Sequence, residues 1–189
     1  MKVTVNVSNR HIHLTKEHIE TLFGSGYALT EQKKLMQPHQ FAANETLTVA
    51  GPRNEVSGVR IVGPERTQTQ IEMTVSDVRY LGIKAPLRLS GDLEGSGAAV
   101  LKGPKGTVEL KEGAIVAKRH IHISQKDADV MNLKDGDAVS VKMGGERALT
   151  YENTVIRIDE KNAGPECHLD IEEANAALIK NGDKADIIK

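Results

Sequence analysis

The sequence predicts a mainly β protein with short helices, built as a tandem pair of small closed β-barrels related by internal duplication. Three observations carry this. Val, Ile, Thr and Gly are plentiful across the 189 residues, while Trp is absent and Phe occurs twice, the composition of short strands closed by tight turns. The stretch Asn9-Arg10-His11-Ile12-His13-Leu14-Thr15 returns as Lys118-Arg119-His120-Ile121-His122-Ile123-Ser124, and the patterned segments around both copies recur in the same order. Between the halves lies a run dense in turn formers.

Taken in order, Val3 to Val7 reads as a strand, and Thr15 as the N-cap of a helix beginning Lys16-Glu17-His18-Ile19. Ala114 to Ala117, Ser124 and Gln125-Lys126-Asp127-Ala128 repeat that set. The stretch Leu29 to Gln40, with Pro38 near its end, has too little periodicity to assign. Asn44 to Val49 then matches Asp135 to Val141, each a turn followed by an alternating strand. Val59-Arg60-Ile61-Val62 answers Val155-Ile156-Arg157-Ile158. Gln70 to Thr74 with a helix at Ser76 to Leu81 answers Cys167 to Asp170 with a helix at Glu172 to Leu178, which sets Glu72 opposite His168. The run Ser90 to Gly97, followed by Gly103-Pro104-Lys105-Gly106, reads as a flexible linker with a hairpin. A boundary near Gly106 follows, giving a first barrel over 1–106 and a second over 107–189.

Charge excludes several classes of function. With 25 basic and 26 acidic side chains the formal net charge is -1, so no global field favours nucleic acid or an anionic membrane. Scarce aromatics argue against a base-stacking platform. No apolar run approaches the ~20 residues of a membrane span, and the start MKVTVNVSN lacks the apolar region of a signal peptide. Cys167 is the single cysteine, which suits a reducing compartment. A cytoplasmic protein is expected.

The chemistry sits in the repeat. Alternate residues of a strand share a face, so both imidazoles of His-x-His can reach one metal while the residue between them packs the other way. His11/His13 and His120/His122 both have this spacing. One such pair has the alternative of two chance surface imidazoles; its recurrence at matching places favours a metal. The repeat alignment adds a third donor to each, Glu72 and His168, and His-His-Glu and His-His-His are both established zinc sets. The competing reading has Glu72 facing solvent. His18 and His39 have no counterpart and are expected on the surface. Arg60, Arg66 and Arg157, with Gln70 on the strand face of Glu72, suit an anion. Cys167 points away from the face of its neighbour His168 and is expected to pack.

Several stretches together resemble the PduL-type phosphate acyltransferases, the phosphate propanoyltransferase family. They are Val5 to His13, Gly63 to Glu72, Leu81-Gly82-Ile83, Arg88 to Asp92 and Lys118 to His122. The resemblance spans essentially the whole chain. It implies that His11, His13 and Glu72 hold one zinc, whose fourth position accepts the coenzyme A sulfur, and that His120, His122 and His168 hold a second. It implies coenzyme A contacts at Ser8, Lys33, Arg60 and Asn175. A polar active-site set at Gln37, Gln40, Arg66, Gln70, Ser90 and Arg157 follows too, with Arg66 on phosphate. The substrates implied are a short-chain acyl-CoA, acetyl or propanoyl, and inorganic phosphate, turned over by a homo-oligomer, expected to be a dimer. Microcompartment members of the family carry an N-terminal amphipathic extension, whereas here strand-like sequence begins almost at Met1, so a free cytosolic role is expected. With no well-placed Ser-His or Cys-His pair, direct attack by phosphate is favoured over an acyl-enzyme.

Two rival readings remain at the level of sequence. A dinuclear zinc hydrolase would use the same donors, and phosphate dependence separates it from a transferase. A non-catalytic zinc-binding barrel module is the other, but structural zinc sites are closed and usually thiolate-rich, and one cysteine cannot build them.

Overall fold

In chain order the strands and helices begin with β1 (Lys2–Ser8), β2 (His11–His13), α1 (Lys16–Phe23), β3 (Glu31–Lys34), β4 (Phe41–Ala50) and β5 (Glu55–Gly63). They continue with β6 (Gln70–Met73), α2 (Val75–Leu81), β7 (Leu87–Arg88), β8 (Gly97–Lys102) and β9 (Thr107–Ala117). The last are β10 (His120–Ile123), α3 (Gln125–Val130), β11 (Ala138–Met143), β12 (Leu149–Ile158), β13 (Glu166–Asp170), α4 (Ile171–Ala177) and β14 (Lys184–Ile188). The computed structural model describes residues 1–37, 39–159 and 164–189; Pro38 lies outside the described residues. The unassigned stretch Leu29 to Gln40 contains β3, an exposed strand paired with β4. No helix among the described residues is long and apolar enough to cross a membrane.

Mainly β with short helices is what the chain forms, and the strands close into two six-stranded barrels. One unit comprises Arg10–Ala117. Its barrel runs β4-β5-β2-β6-β9-β8 and closes because β8 pairs with both β9 and β4, while β3 and β7 extend the sheet outside the ring. The other unit comprises Met1–Asn9 and Lys118–Lys189, with the closed order β1-β13-β10-β12-β11-β14. Each unit has its own core, around Ile12, Leu14, Ile61 and Ile71 in one and Val5, Ile121, Ile123 and Ile156 in the other.

The rings correspond strand for strand, each parallel or antiparallel pairing of one recurring in the other. The correspondence has one exchange. Strand β9, which leads into the second His-x-His, closes the barrel of the first, and β1, which leads into the first, closes the barrel of the second. The division into units thus differs from the expected cut at 106/107. Gly103 to Gly106 forms the expected hairpin, the turn between β8 and β9, and not a linker between the units: the Gly103 N–H lies on the Gly106 carbonyl at 2.9 Å and Lys102 stands opposite Thr107.

Register is fixed by the core. Ile12 and Ile121, between the paired histidines, are 0 % exposed, and each buried Ile stabilises by about 1.5–3 kcal/mol. A one-residue slip would turn it outward and the histidines inward. Helix ends follow their caps: Thr15 and Ser124 accept the N–H of His18 and Asp127, as expected. Thr74 and Asp170 open α2 and α4 with full capping boxes. Helix α2 stops at Gly82, whose left-handed φ of 73° suits glycine.

Candidate metal and active site

In the Arg10–Ala117 unit, β2 lies between β5 and β6. His11 stands opposite Arg60 on one side and Glu72 on the other, and His13 opposite Gln70. His11, His13 and Glu72 therefore share a face, and their donor atoms all lie within 4.8 Å of one another. Glu72 Oε2 is 3.6 Å from His11 Nε2. Glu72 does not face solvent; the residue is 9 % exposed.

The second unit repeats this. His120 stands opposite His168, and the donor atoms of His120, His122 and His168 lie within 4.8 Å. His120 Nε2 and His122 Nε2 are 3.2 Å apart, close to the edge of about 3.3 Å of a tetrahedron built on zinc–nitrogen bonds of ~2.0 Å. Either triad could hold a metal ion.

Hydrogen bonds fix which ring nitrogen carries the proton. His13 Nδ1 lies 3.0 Å from the Val62 carbonyl and His120 Nδ1 lies 2.9 Å from that of Lys118. A carbonyl only accepts, so both Nδ1 atoms carry the proton and both Nε2 lone pairs are left for a metal. Burial first, then His11 and Arg66 beside it, hold the His13 pKa down at about 2. Burial, then His168, lowers His120 to about 3, and burial, then His168 and Arg157, lowers His122 to about 4. At neutral pH these imidazoles are uncharged, as ligands must be.

A polar chain backs Glu72. The Gly91 N–H donates to Gln70 Oε1 at 2.8 Å, which turns the Gln70 amide nitrogen toward Glu72 Oε1 at 2.6 Å and Ser90 Oγ at 2.8 Å. Arg66 Nη1 reaches the same Ser90 oxygen at 3.4 Å. Four of the expected residues, Arg66, Gln70, Glu72 and Ser90, are thus joined. Gln37 and Gln40 sit in the turn between β3 and β4, the Gln40 N–H on the Gln37 carbonyl at 3.2 Å. The ladder brings Phe41 opposite Gly63 and Ala42 opposite Val62, so that turn lies at the His13 end of the strands. Arg60 donates to the Ala43 and Asn44 carbonyls at 2.9 and 2.8 Å, bracing the bulge of β4. Lys33 is exposed on β3. Ser8 and Asn175 belong to the other unit, half-buried and exposed respectively.

Arg157 stands opposite His122. That differs from the alignment read off the sequence, which put Arg60 level with Ile156. With the histidine pairs superposed, Arg60 matches Val155, Ile61 matches Ile156, and Val62 matches Arg157. The core decides, since Ile61 and Ile156 are both 0 % exposed. His18 also departs from expectation: it is half-buried, its Nδ1 2.7 Å from Thr69 Oγ1. His39 is exposed. Cys167 packs as expected, 0 % exposed, with its thiol pushed up to about 12 by burial and by Glu173.

Sequence reading passed over Glu166, whose Oε2 lies 3.3 Å from His168 Nε2. It also passed over Arg10, Asp77, Arg119 and Glu173. The signal for both arginines was in plain view: the residue before each His-x-His is Arg.

A family model for phosphate propanoyltransferase matches residues 4–180. A Thermotoga maritima protein named phosphate propanoyltransferase is 46% identical over 188 residues, 99% of this chain and 89% of that protein. One of the same name from Lachnoclostridium phytofermentans is 49% identical over 181 residues, covering 95% and 84%. A third, from Rhodopseudomonas palustris, is 46% identical over 188 residues, covering 100% and 83%.

Proposed function

The chain belongs to the phosphate propanoyltransferase family and is a phosphate acyltransferase, and we propose that it interconverts acetyl- or propanoyl-CoA plus phosphate with the acyl phosphate plus CoA, holding one zinc in each triad. The observation that supports this most is the His11/His13/Glu72 triad joined through Gln70 and Ser90 to Arg66. Bound there, zinc would supply Lewis acidity and stabilise a leaving thiolate.

The chain's own residues do the rest. Arg66 offers a guanidinium fork to the phosphate oxygens and neutralises their charge as the phosphate approaches the acyl carbon. Gln70 holds Glu72 in its ligating rotamer, and Ser90 carries that order on to Arg66. In the forward direction a phosphate oxygen bonds to the acyl carbon, the carbon–sulfur bond breaks, and the electron pair leaves on the CoA sulfur. Lys33, Arg60, Ser8 and Asn175 are proposed to bind CoA.

Thioester loss measured with and without phosphate, together with hydroxylamine trapping of acyl phosphate and metal analysis, tests the reading. Phosphate-dependent loss with stoichiometric acyl phosphate and about two zinc ions per chain is the expected result. Thioester loss that ignores phosphate would make the protein a hydrolase instead.

A further inference from the structure

The geometry that joins each histidine pair to its third donor rests on little backbone. Strand β2 has three residues, and its ladder with β6 consists of His11–Glu72, Ile12–Ile71 and His13–Gln70. In the other unit β10 meets β13 through three pairs as well, His120–His168, Ile121–Cys167 and His122–Glu166. Ladders this short leave the donor spacing open to fraying.

Each ladder is closed at the same end by an ion pair. Arg10, directly before β2, donates from Nε to Asp77 Oδ2 at 2.9 Å. Asp77 is 6 % exposed and belongs to the capping box of α2: its carboxylate accepts the Thr74 N–H at 3.3 Å while its own N–H goes to Thr74 Oγ1 at 3.2 Å. In the other unit Arg119, directly before β10, donates from Nη1 to Glu173 Oε1 at 2.7 Å. Glu173 caps α4 in the same way, accepting the Asp170 N–H at 3.1 Å and donating its own to Asp170 Oδ1 at 2.8 Å. The acid stands five residues after the third donor in both units, although one is Asp and the other Glu. Arg119 goes further, donating Nε to the Glu152 carbonyl at 2.9 Å and thereby tying in β12.

A helix cap by itself needs no arginine from a distant strand. What the arginine adds is a charge-assisted link between the residue next to the histidine pair and the turn that follows the third donor. We propose that Arg10 and Arg119 are positioning residues that set the spacing between each His-x-His and its third metal donor, each acting on its own triad. The inference rests on the reading that both triads bind zinc. The planar fork matters as well as the charge, since a lysine ammonium holds no fixed direction.

Zinc affinity, read by competition with a chromophoric chelator well below the unfolding temperature, tests this one triad at a time. His120→Ala/His122→Ala leaves only the first triad, and Arg10→Gln in that background is expected to weaken zinc on the order of ten- to a hundredfold. His11→Ala/His13→Ala leaves only the second, and Arg119→Gln should do the same there. Crossed into the otherwise intact protein, each arginine change should weaken one zinc and spare the other. Asp77→Asn should match Arg10→Gln, and the pair together should be little worse than either. Should a Gln variant fail to fold, the Lys variant at the same position decides: zinc weakened with the fold retained supports positioning, and zinc unchanged overturns it. A lowered melting temperature with unchanged zinc affinity, or equal weakening of both triads by one arginine change, also overturns the proposal while leaving the zinc reading intact. Parent double mutants that bind no zinc would sink both.

Discussion

The triads of the two units are built on the same ladder and differ in where the negative charge stands. Strand β6 carries Gln70-x-Glu72, with the carboxylate among the donors and the amide as its hydrogen-bond partner. Strand β13 carries Glu166-x-His168, so the imidazole is the donor and the carboxylate sits two residues back, 3.3 Å from the ring. Each strand therefore brings one carboxylate to its triad through positions that alternate onto the same face. A carboxylate among the donors can give its charge to a metal directly; the one beside His168 stands at the ring's Nε2. The duplicated scaffold thus keeps donor geometry constant and lets the sequence decide how charge is delivered.

The harshest way to break that comparison is to delete either pair. His11→Ala/His13→Ala and His120→Ala/His122→Ala should each remove about one zinc per chain and abolish transfer, and unchanged metal content in both would refute the ligand sets. Next in size comes Arg66→Ala, which probes a residue tied to the Glu72 triad through Ser90. Phosphate-dependent turnover should fall on the order of 10²–10³-fold with metal content intact, and Lys should restore only part of it. Wild-type kinetics across a phosphate titration would remove Arg66 from the site.

Glu72→Gln and Glu166→Gln sharpen the comparison. Zinc affinity should drop on the order of a hundredfold at the first triad, and about tenfold or less at the second, where the carboxylate is not a donor. Equal losses would mean that charge alone, and not ligation, distinguishes these residues. The smallest effect concerns acid. His13, His120 and His122 have folded pKa values below the ordinary 6.5, so below about pH 6.5 the unfolded chain binds protons that the folded chain does not. Stability of the metal-free protein should be full above that pH and fall progressively as pH drops toward 4. Urea midpoints across that range measure it; midpoints that rise on acidification would contradict the burial of these rings.

Much of this was legible in the residues. Period-two histidines around a buried Ile, and the recurrence of Glu72 and His168 after matching strands, follow from alternation and repetition. Helix caps at Thr15 and Ser124 did too. The level of Arg60 against Arg157 was not, because both segments are apolar runs in which a one-residue slip looks alike until Ile61 and Ile156 are seen in their cores. Nor was the division of the chain. Glycine-rich turns close hairpins and separate domains with the same residues, and nothing local tells which barrel a strand will join. The Arg10–Asp77 and Arg119–Glu173 pairs span 67 and 54 positions, a range over which periodicity carries no information.

The exchange of β1 and β9 has a consequence for how the protein is made. Ribosomes deliver the chain from its N-terminus, and every strand of the Arg10–Ala117 barrel is contiguous in that order. That barrel can close as soon as Ala117 has emerged. Strand β1 pairs, among the described residues, with β13 and β14, so it must wait until those later strands are made with its Val3 and Val5 uncovered. Nascent chains arrested at increasing length and probed by protease should show Arg10–Ala117 protected before Lys2–Ser8. Strand β1 is older than both of its partners and finds its place only after the barrel that follows it can close.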